Sequence, residues 1–84
     1  MTSAKGYASH AEGVSSVAIG YYSHAEGAST TASGGAAHAE GWMTQANGNH
    51  SHAEGFGTKA MRAAQHVFGE HNIEDLVGTL TTRG

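Results

Sequence analysis

Nine residues of this 84-residue chain stand in a pattern that invites chemistry. Histidine recurs at His10, His24, His38, His52 and His66, fourteen positions apart, and glutamate follows two positions later at Glu12, Glu26, Glu40 and Glu54. Residues at i and i+2 share one face of a strand. Imidazole and carboxylate are both ligands for a divalent ion such as zinc, so all nine residues are candidate metal ligands. The same groups also hydrogen-bond to each other, and imidazoles set among stacked carboxylates relieve their repulsion. The column therefore reads either as a row of metal sites or as a structural network at or near a subunit interface. The structural reading is the plainer one, because cross-strand polar pairs are ordinary sheet contacts. Repetition adds nothing to the metal case, since a stacked architecture repeats every residue. No metal and no cofactor is expected.

Catalysis has little to stand on. Ser9 and His10 are sequence neighbours and point to opposite faces of a strand, so they cannot form a nucleophile–base pair. Paired glycosidase carboxylates need a cleft roughly 5–9 Å across, which a convex surface does not offer. His50 and His71 lie outside the column. No catalytic residue is expected.

The elements that must position the His–Glu column are themselves periodic. His-Ala-Glu-Gly stands at residues 10–13, 24–27, 38–41 and 52–55, each copy fourteen after the last. Ala-x-Gly also recurs at half that interval, in Val17-Ala18-Ile19-Gly20, Thr31-Ala32-Ser33-Gly34 and Gln45-Ala46-Asn47-Gly48. Two positions before each Ala stands a small residue, such as Ser9, Ser16, Ser23, Thr30, Ala37, Thr44 and Ser51. The unit is small-x-Ala-x-Gly plus two linking residues. A seven-residue period invites a coiled coil, but a heptad seam needs large apolar residues. Glycine at every seventh position would also cost a helix roughly 1 kcal/mol per copy. The i, i+2, i+4 spacing is strand spacing.

Strands of about five residues joined by two-residue turns give an all-β solenoid, a parallel β-roll with two short strands per 14-residue coil. Successive coils should stack at about 4.8 Å. Ser9, Ala11, Ala18, Ala25, Ala32, Ala39, Ala46 and Ala53 face inward, where only small side chains fit. Glycine closes each strand where the chain bends. The bulky residues Tyr7, Tyr21, Tyr22, Trp42 and Phe56 gather at the corners, where Tyr21, Tyr22 and Trp42 suit either sugar stacking or a neighbouring subunit. The roll domain spans residues 1–69. In Gln65-His66-Val67-Phe68-Gly69 larger residues enter the pattern, and Arg62 breaks the Gly column, so a larger core or cap is expected there. Residues 70–84 are expected to form a cap, neck or tail, with a helix or neck beginning near 72–77.

Composition bounds the rest. The apolar content is mostly Ala, there are 13 Gly and no Cys, and a chain this short buries a modest fraction of its surface. Oligomerisation is the expected remedy. A net charge of −3 with four Lys and Arg argues against nucleic acid. No apolar run is long enough for a spanning helix, so no membrane insertion is expected, and no signal peptide is visible.

Ser16-Val17-Ala18-Ile19-Gly20 resembles the repeat of YadA-like trimeric autotransporter adhesin heads. The alternating Ser-His-Ala-Glu-Gly form is similar to repeats of phage and prophage tail-fibre-like proteins, which lead into segments like residues 65–69 and 72–75. The resemblance covers about residues 2–75 and implies a left-handed roll assembled as a homotrimer. It implies a structural or head segment of a fibre, extracellular or on a virion tail, whose main partner is itself. The alternative it carries is an adhesin module that binds a surface polysaccharide or a matrix protein such as collagen. A self-cleaving chaperone domain follows such repeats in some of these proteins. These 84 residues leave no room for one, so no protease activity is expected.

Overall fold

The computed structural model describes residues 2–70, and every regular element among them is a strand. One parallel sheet is built from Ser3–Ala4 (β1), Val17–Ala18 (β3), Thr31–Ala32 (β5), Gln45–Ala46 (β7) and Lys59–Ala60 (β9), in that spatial order. The other holds His10–Val14 (β2), His24–Ala28 (β4), His38–Trp42 (β6), His52–Ala53 (β8) and His66–Val67 (β10). Each residue pairs with the one fourteen away, Ala18 with Ala32 and His24 with His38. The chain is thus a β-solenoid of 14-residue coils, measuring 31 × 20 × 12 Å. The helix or neck expected near 72–77, and the rest of the tail, lie outside the described residues.

The core follows from how close the two sheets lie. Ala18, Ala32, Ala46 and Ala60 from one sheet meet Ala25, Ala39 and Ala53 from the other, all with no exposed surface. Val67 is the largest buried apolar side chain, and it sits where the last described coil takes a bigger residue. Beside this line runs the hydroxyl column. Ser23 Oγ donates to the Gly20 carbonyl at 2.6 Å and Ser51 Oγ to Gly48 at 2.6 Å, while Thr44 and Thr58 donate to the Glu40 and Glu54 carbonyls at 3.1 and 3.0 Å. The buried hydroxyls thereby find acceptors of their own, the two serines adding to corner carbonyls that also accept the Ser23 and Ser51 amides at 3.2 Å.

Several sequence expectations need correction. The two strands of a coil are unequal: five residues in β2, β4 and β6, but two in every strand of the opposite sheet. Ser9 and Ala11, expected inside, are only half-buried, because they belong to the first coil and have a neighbour on one side only. Phe68 does not fill a larger core; it occupies the outward column of the glutamates and is 42% exposed. Gln65 is buried in the hydroxyl column, and its Oε1 accepts from the Met61 and Arg62 amides at 2.9 and 3.1 Å.

The corners are also turned differently. Residues 8, 15, 22, 29, 36, 43, 50, 57 and 64 all adopt left-handed φ of 55–67°, and only one of them, Gly57, is glycine. Such a conformation costs an L-residue about 1–2 kcal/mol. It turns each amide back toward the preceding coil: Tyr22 N–H donates to the Tyr7 carbonyl at 2.8 Å, Ala36 to Tyr21 at 2.7 Å and Ala64 to Asn49 at 2.8 Å. Both glycine columns lie too close to the next coil's carbonyls to carry a side chain, and they differ in backbone conformation. Gly13, Gly27, Gly41, Gly55 and Gly69 have φ of 105–109°, whereas Gly6, Gly20, Gly34 and Gly48 do not have positive φ. In that second column a Cβ would lie 2.1 Å from the carbonyl oxygen of the next coil. Arg62 is the next residue of the column, and there the glycine pattern gives way to a side chain.

Candidate functional site

The His–Glu column lies on the outer face of the sheet containing β2, β4, β6, β8 and β10, because its residues flank the inward alanines at i±1. Parallel, in-register pairing then stacks like on like: His10, His24, His38, His52 and His66 in one file, and Glu12, Glu26, Glu40 and Glu54 in the next. Neighbouring imidazole centroids are 4.6–4.7 Å apart. The middle members are about one-third exposed, and the terminal His10 and Glu12 more than half.

Imidazoles and carboxylates meet along the file. His24 Nε2 lies 3.3 Å from Glu26 Oε1, and His38 Nε2 lies 3.8 Å from Glu26 Oε2 and 3.5 Å from Glu40 Oε1. His52 continues the zigzag at 3.6 Å from Glu40 and 3.3 Å from Glu54. These are ion-pair distances and not aligned hydrogen bonds; the Nε2 atoms of His24, His38 and His52 are shielded from solvent with no hydrogen-bond partner. Among the described His–Glu pairs, His10 and Glu12, at 3.2 Å, have the geometry of a hydrogen bond.

Protons are distributed unevenly along the glutamates. Hydrogen bonds with Glu26 and Glu54, reinforced by burial and by their charge, push Glu40 up to about 7. Glu26 is held below its ordinary value, first by hydrogen bonds with Glu40 and Glu12, then by His24 and His38. Glu40 is thus the more readily protonated of these two neighbours. Burial lowers His38, and the neighbouring charge of His24 lowers it further; burial lowers His52, followed by His38 and His66.

Metal binding was the sharper chemical expectation, and its groups are present. The sets His10–Glu12–His24, His24–Glu26–His38, His38–Glu40–His52 and His52–Glu54–His66 each bring their ligand atoms within 4.8 Å of one another. The ring orientations argue against them. His24, His38, His52 and His66 stack with successive planes within 8° of parallel. A zinc ion lies along the lone pair of a ring nitrogen, about 2.0–2.1 Å away. Parallel rings related by one coil's translation direct their lone pairs side by side and never at a common point. Each ion would find one histidine and one carboxylate from this chain, where zinc takes three or four protein ligands. His10 and His24, tilted by 37°, are less parallel, at the exposed end of the file.

Beside the glutamates runs an open groove of about 850 Å³, lined by Gly13, Gly27, Gly41, Gly55 and Gly69 and by Phe68 in the glutamate column. The sequence contained its signal, the glycine column after each Glu, but the spacing reads as strand closure and not as a groove floor. The corner aromatics form two groups. Tyr7, Tyr21 and Tyr22 cluster with centroids 5.8–6.4 Å apart, and Trp42 stacks on Phe56 at 4.7 Å. His50 stands at a corner in left-handed conformation, away from the file.

No family model matches the chain, and no curated protein matches it. Among the described residues no helix is long and apolar enough to cross a membrane.

Proposed function

We propose that this chain is a non-enzymatic structural or head segment of a trimeric fibre, most similar in kind to phage tail-fibre proteins and displayed outside the cell or on a virion tail. In this reading three left-handed rolls lie side by side, and the His–Glu file stands at or near the contact between them. The observation that carries it is the inverted distribution of apolar size. Among the described residues the interior holds Ala, Ser and Thr with nothing larger than Val67 except Gln65, while Tyr7, Val14, Ile19, Tyr21, Tyr22, Trp42, Met43, Met61 and Phe68 are all exposed. Burying large apolar side chains is the main stabilising term for a fold. A roll that keeps those side chains outside gains that term by covering them with copies of itself.

The unpartnered Nε2 atoms of His24, His38 and His52 support placing the file near that contact, since a buried nitrogen without a partner is destabilising. The test is the native mass in solution by sedimentation. The expected result is three times the 8.6 kDa chain, with thermal stability that rises with protein concentration. A compact, cooperatively folded monomer at micromolar concentration would overturn the proposal.

A second reading, an adhesin module that binds a polymer of a host or matrix, is favoured by the exposed corner aromatics. Exposed apolar patches on a folded surface mark interaction sites.

A further inference from the structure

We propose that the end of the roll carrying β1 and β2 is a docking edge for one further coil of the same 14-residue pattern, supplied by a second polypeptide. Such an edge serves a fibre or an adhesin equally and does not require the trimer. β1 and β2 are the outermost strands of their sheets, with no described strand beyond them. The Ser16, Ala18 and Ser23 carbonyls accept the Ser3, Lys5 and His10 amides of the coil before, at 2.8, 2.8 and 3.0 Å. Their counterparts one coil earlier, Thr2, Ala4 and Ser9, have no preceding coil among the described residues. Core surface is open at the same end: Ala4 is exposed and Ala11 half-buried, whereas the equivalent Ala18 and Ala25 have no exposed surface. An unpaired strand edge is a template for a strand of another chain.

Two features identify the occupant. First, the corners are set in advance. Ala8 and Ser15 hold φ of 55° and 58°, a conformation unfavourable to an L-residue. In later coils that conformation turns an amide onto the coil before, Tyr22 N–H to the Tyr7 carbonyl and Ser29 N–H to Val14, both at 2.8 Å. Among the described residues the Ala8 and Ser15 amides have no such acceptor, so they aim where the corner carbonyls of a preceding coil would stand. Second, clearance selects the sequence. A Cβ at Gly20, Gly27, Gly34 or Gly41 would strike a carbonyl of the coil that follows. A coil laid before the first must therefore carry glycine over both Gly6 and Gly13. Residues 29–42 meet this demand: in register, Thr31-Ala32 lies on β1, residues 38–42 lie on β2, Gly34 covers Gly6 and Gly41 covers Gly13. The last described coil of another copy matches less well, with Arg62 in place of a glycine and Phe68 in place of a glutamate.

The test titrates the full isotopically labelled chain with an unlabelled synthetic peptide of the sequence of residues 29–42, following backbone amides by NMR and native mass by sedimentation. Saturable shifts and slowed hydrogen exchange are expected at the Ala4, Ala8, Ala11, Gly13 and Ser15 amides. The peptide with Gly34→Ala should bind at least tenfold more weakly. The peptide with Gly35→Ala should bind as the parent does, because that column already carries Tyr7, Tyr21, Asn49 and Ala63. Both changes sit in the peptide, so the fold of the chain is untouched. No saturable shift, equal binding by all the peptides, or shifts confined to the other end around Val67 and Gly69 would overturn the proposal. Edge amides already protected from exchange in the chain alone would overturn it too, by showing that another copy covers them. Because mass and binding are read separately, a monomer that binds the peptide would sink the trimer and leave the edge standing.

Discussion

Adjacent glycines provide the sharpest test of how the coils are spaced. Gly34 and Gly35 share a corner, and neither has a positive φ. They differ in what a side chain would meet. A Cβ on Gly34 would lie 2.1 Å from the Gly48 carbonyl oxygen and 2.4 Å from its carbon, whereas one on Gly35 meets nothing closer than Asn49 Oδ1 at 3.6 Å. An ordinary contact needs about 3.5 Å, so Gly34→Ala must open the third and fourth coils by more than about 1 Å. The bonds that bridge them there are Ser33 N–H and Gly34 N–H to the Ala46 carbonyl, at 3.0 and 3.2 Å, and His50 N–H to the Gly35 carbonyl at 2.7 Å. Losing two or three of these removes about 2–3 kcal/mol at roughly 1 kcal/mol each. The residual crowding adds about 1–3 kcal/mol.

The expected loss for Gly34→Ala is therefore about 3–6 kcal/mol, a large share of the stability of a small domain. At roughly 4–8 °C per kcal/mol, the melting temperature falls by more than about 12 °C. Gly35→Ala relieves no contact and creates none. By restricting the unfolded chain it should be neutral or stabilising by about 0.4–1 kcal/mol. Far-UV circular dichroism melts at matched protein concentration measure both. Equal effects of the two substitutions, or a tolerated Gly34→Ala, would refute the close approach of the coils at this column.

Ala25→Leu adds bulk where the two sheets leave no exposed surface, and should destabilise by about 1–3 kcal/mol or more in urea unfolding; an equally stable variant would remove Ala25 from the interior. Ala36→Gly relieves a φ of 56° on an exposed corner, and a gain of about 1 kcal/mol is expected in the same assay. Stability should fall as pH drops below 6.5, because His38 and His52 have folded values under 6.5: their contribution is complete above 6.5 and is lost as pH falls through those values. Glu40, raised from 4.5 to about 7, acts in the opposite sense, its contribution present below 4.5 and lost as pH rises through 7, so Glu40→Gln should steepen the fall in melting temperature between pH 7 and 4.5. Chelator at pH 7.5 should leave the melting curve unmoved, and a drop restored by zinc would replace the parallel-ring argument with a metal site.

The two-sheet solenoid was legible because its constraints act on residue type. A Cβ at Gly20 or Gly34 strikes the next coil's backbone, and anything beyond a methyl group at Ala25 or Ala39 crowds the opposite sheet. Such positions repeat the same letter, and the letter reveals the period. The left-handed corners escaped notice for the converse reason. Residues 8, 15, 22, 29, 36, 43, 50, 57 and 64 share one backbone conformation, yet read Ala, Ser, Tyr, Ser, Ala, Met, His, Gly and Ala. Their constraint falls on φ and on an amide hydrogen bond to the coil before, and neither depends strongly on the side chain. The His–Glu file falls between these cases. Its membership follows from spacing, but its chemistry depends on whether stacked rings can aim at one point, and ring planes leave no trace in a sequence. Translation by one coil keeps neighbouring rings parallel, and that geometry favours a polar His–Glu strip over a row of ions.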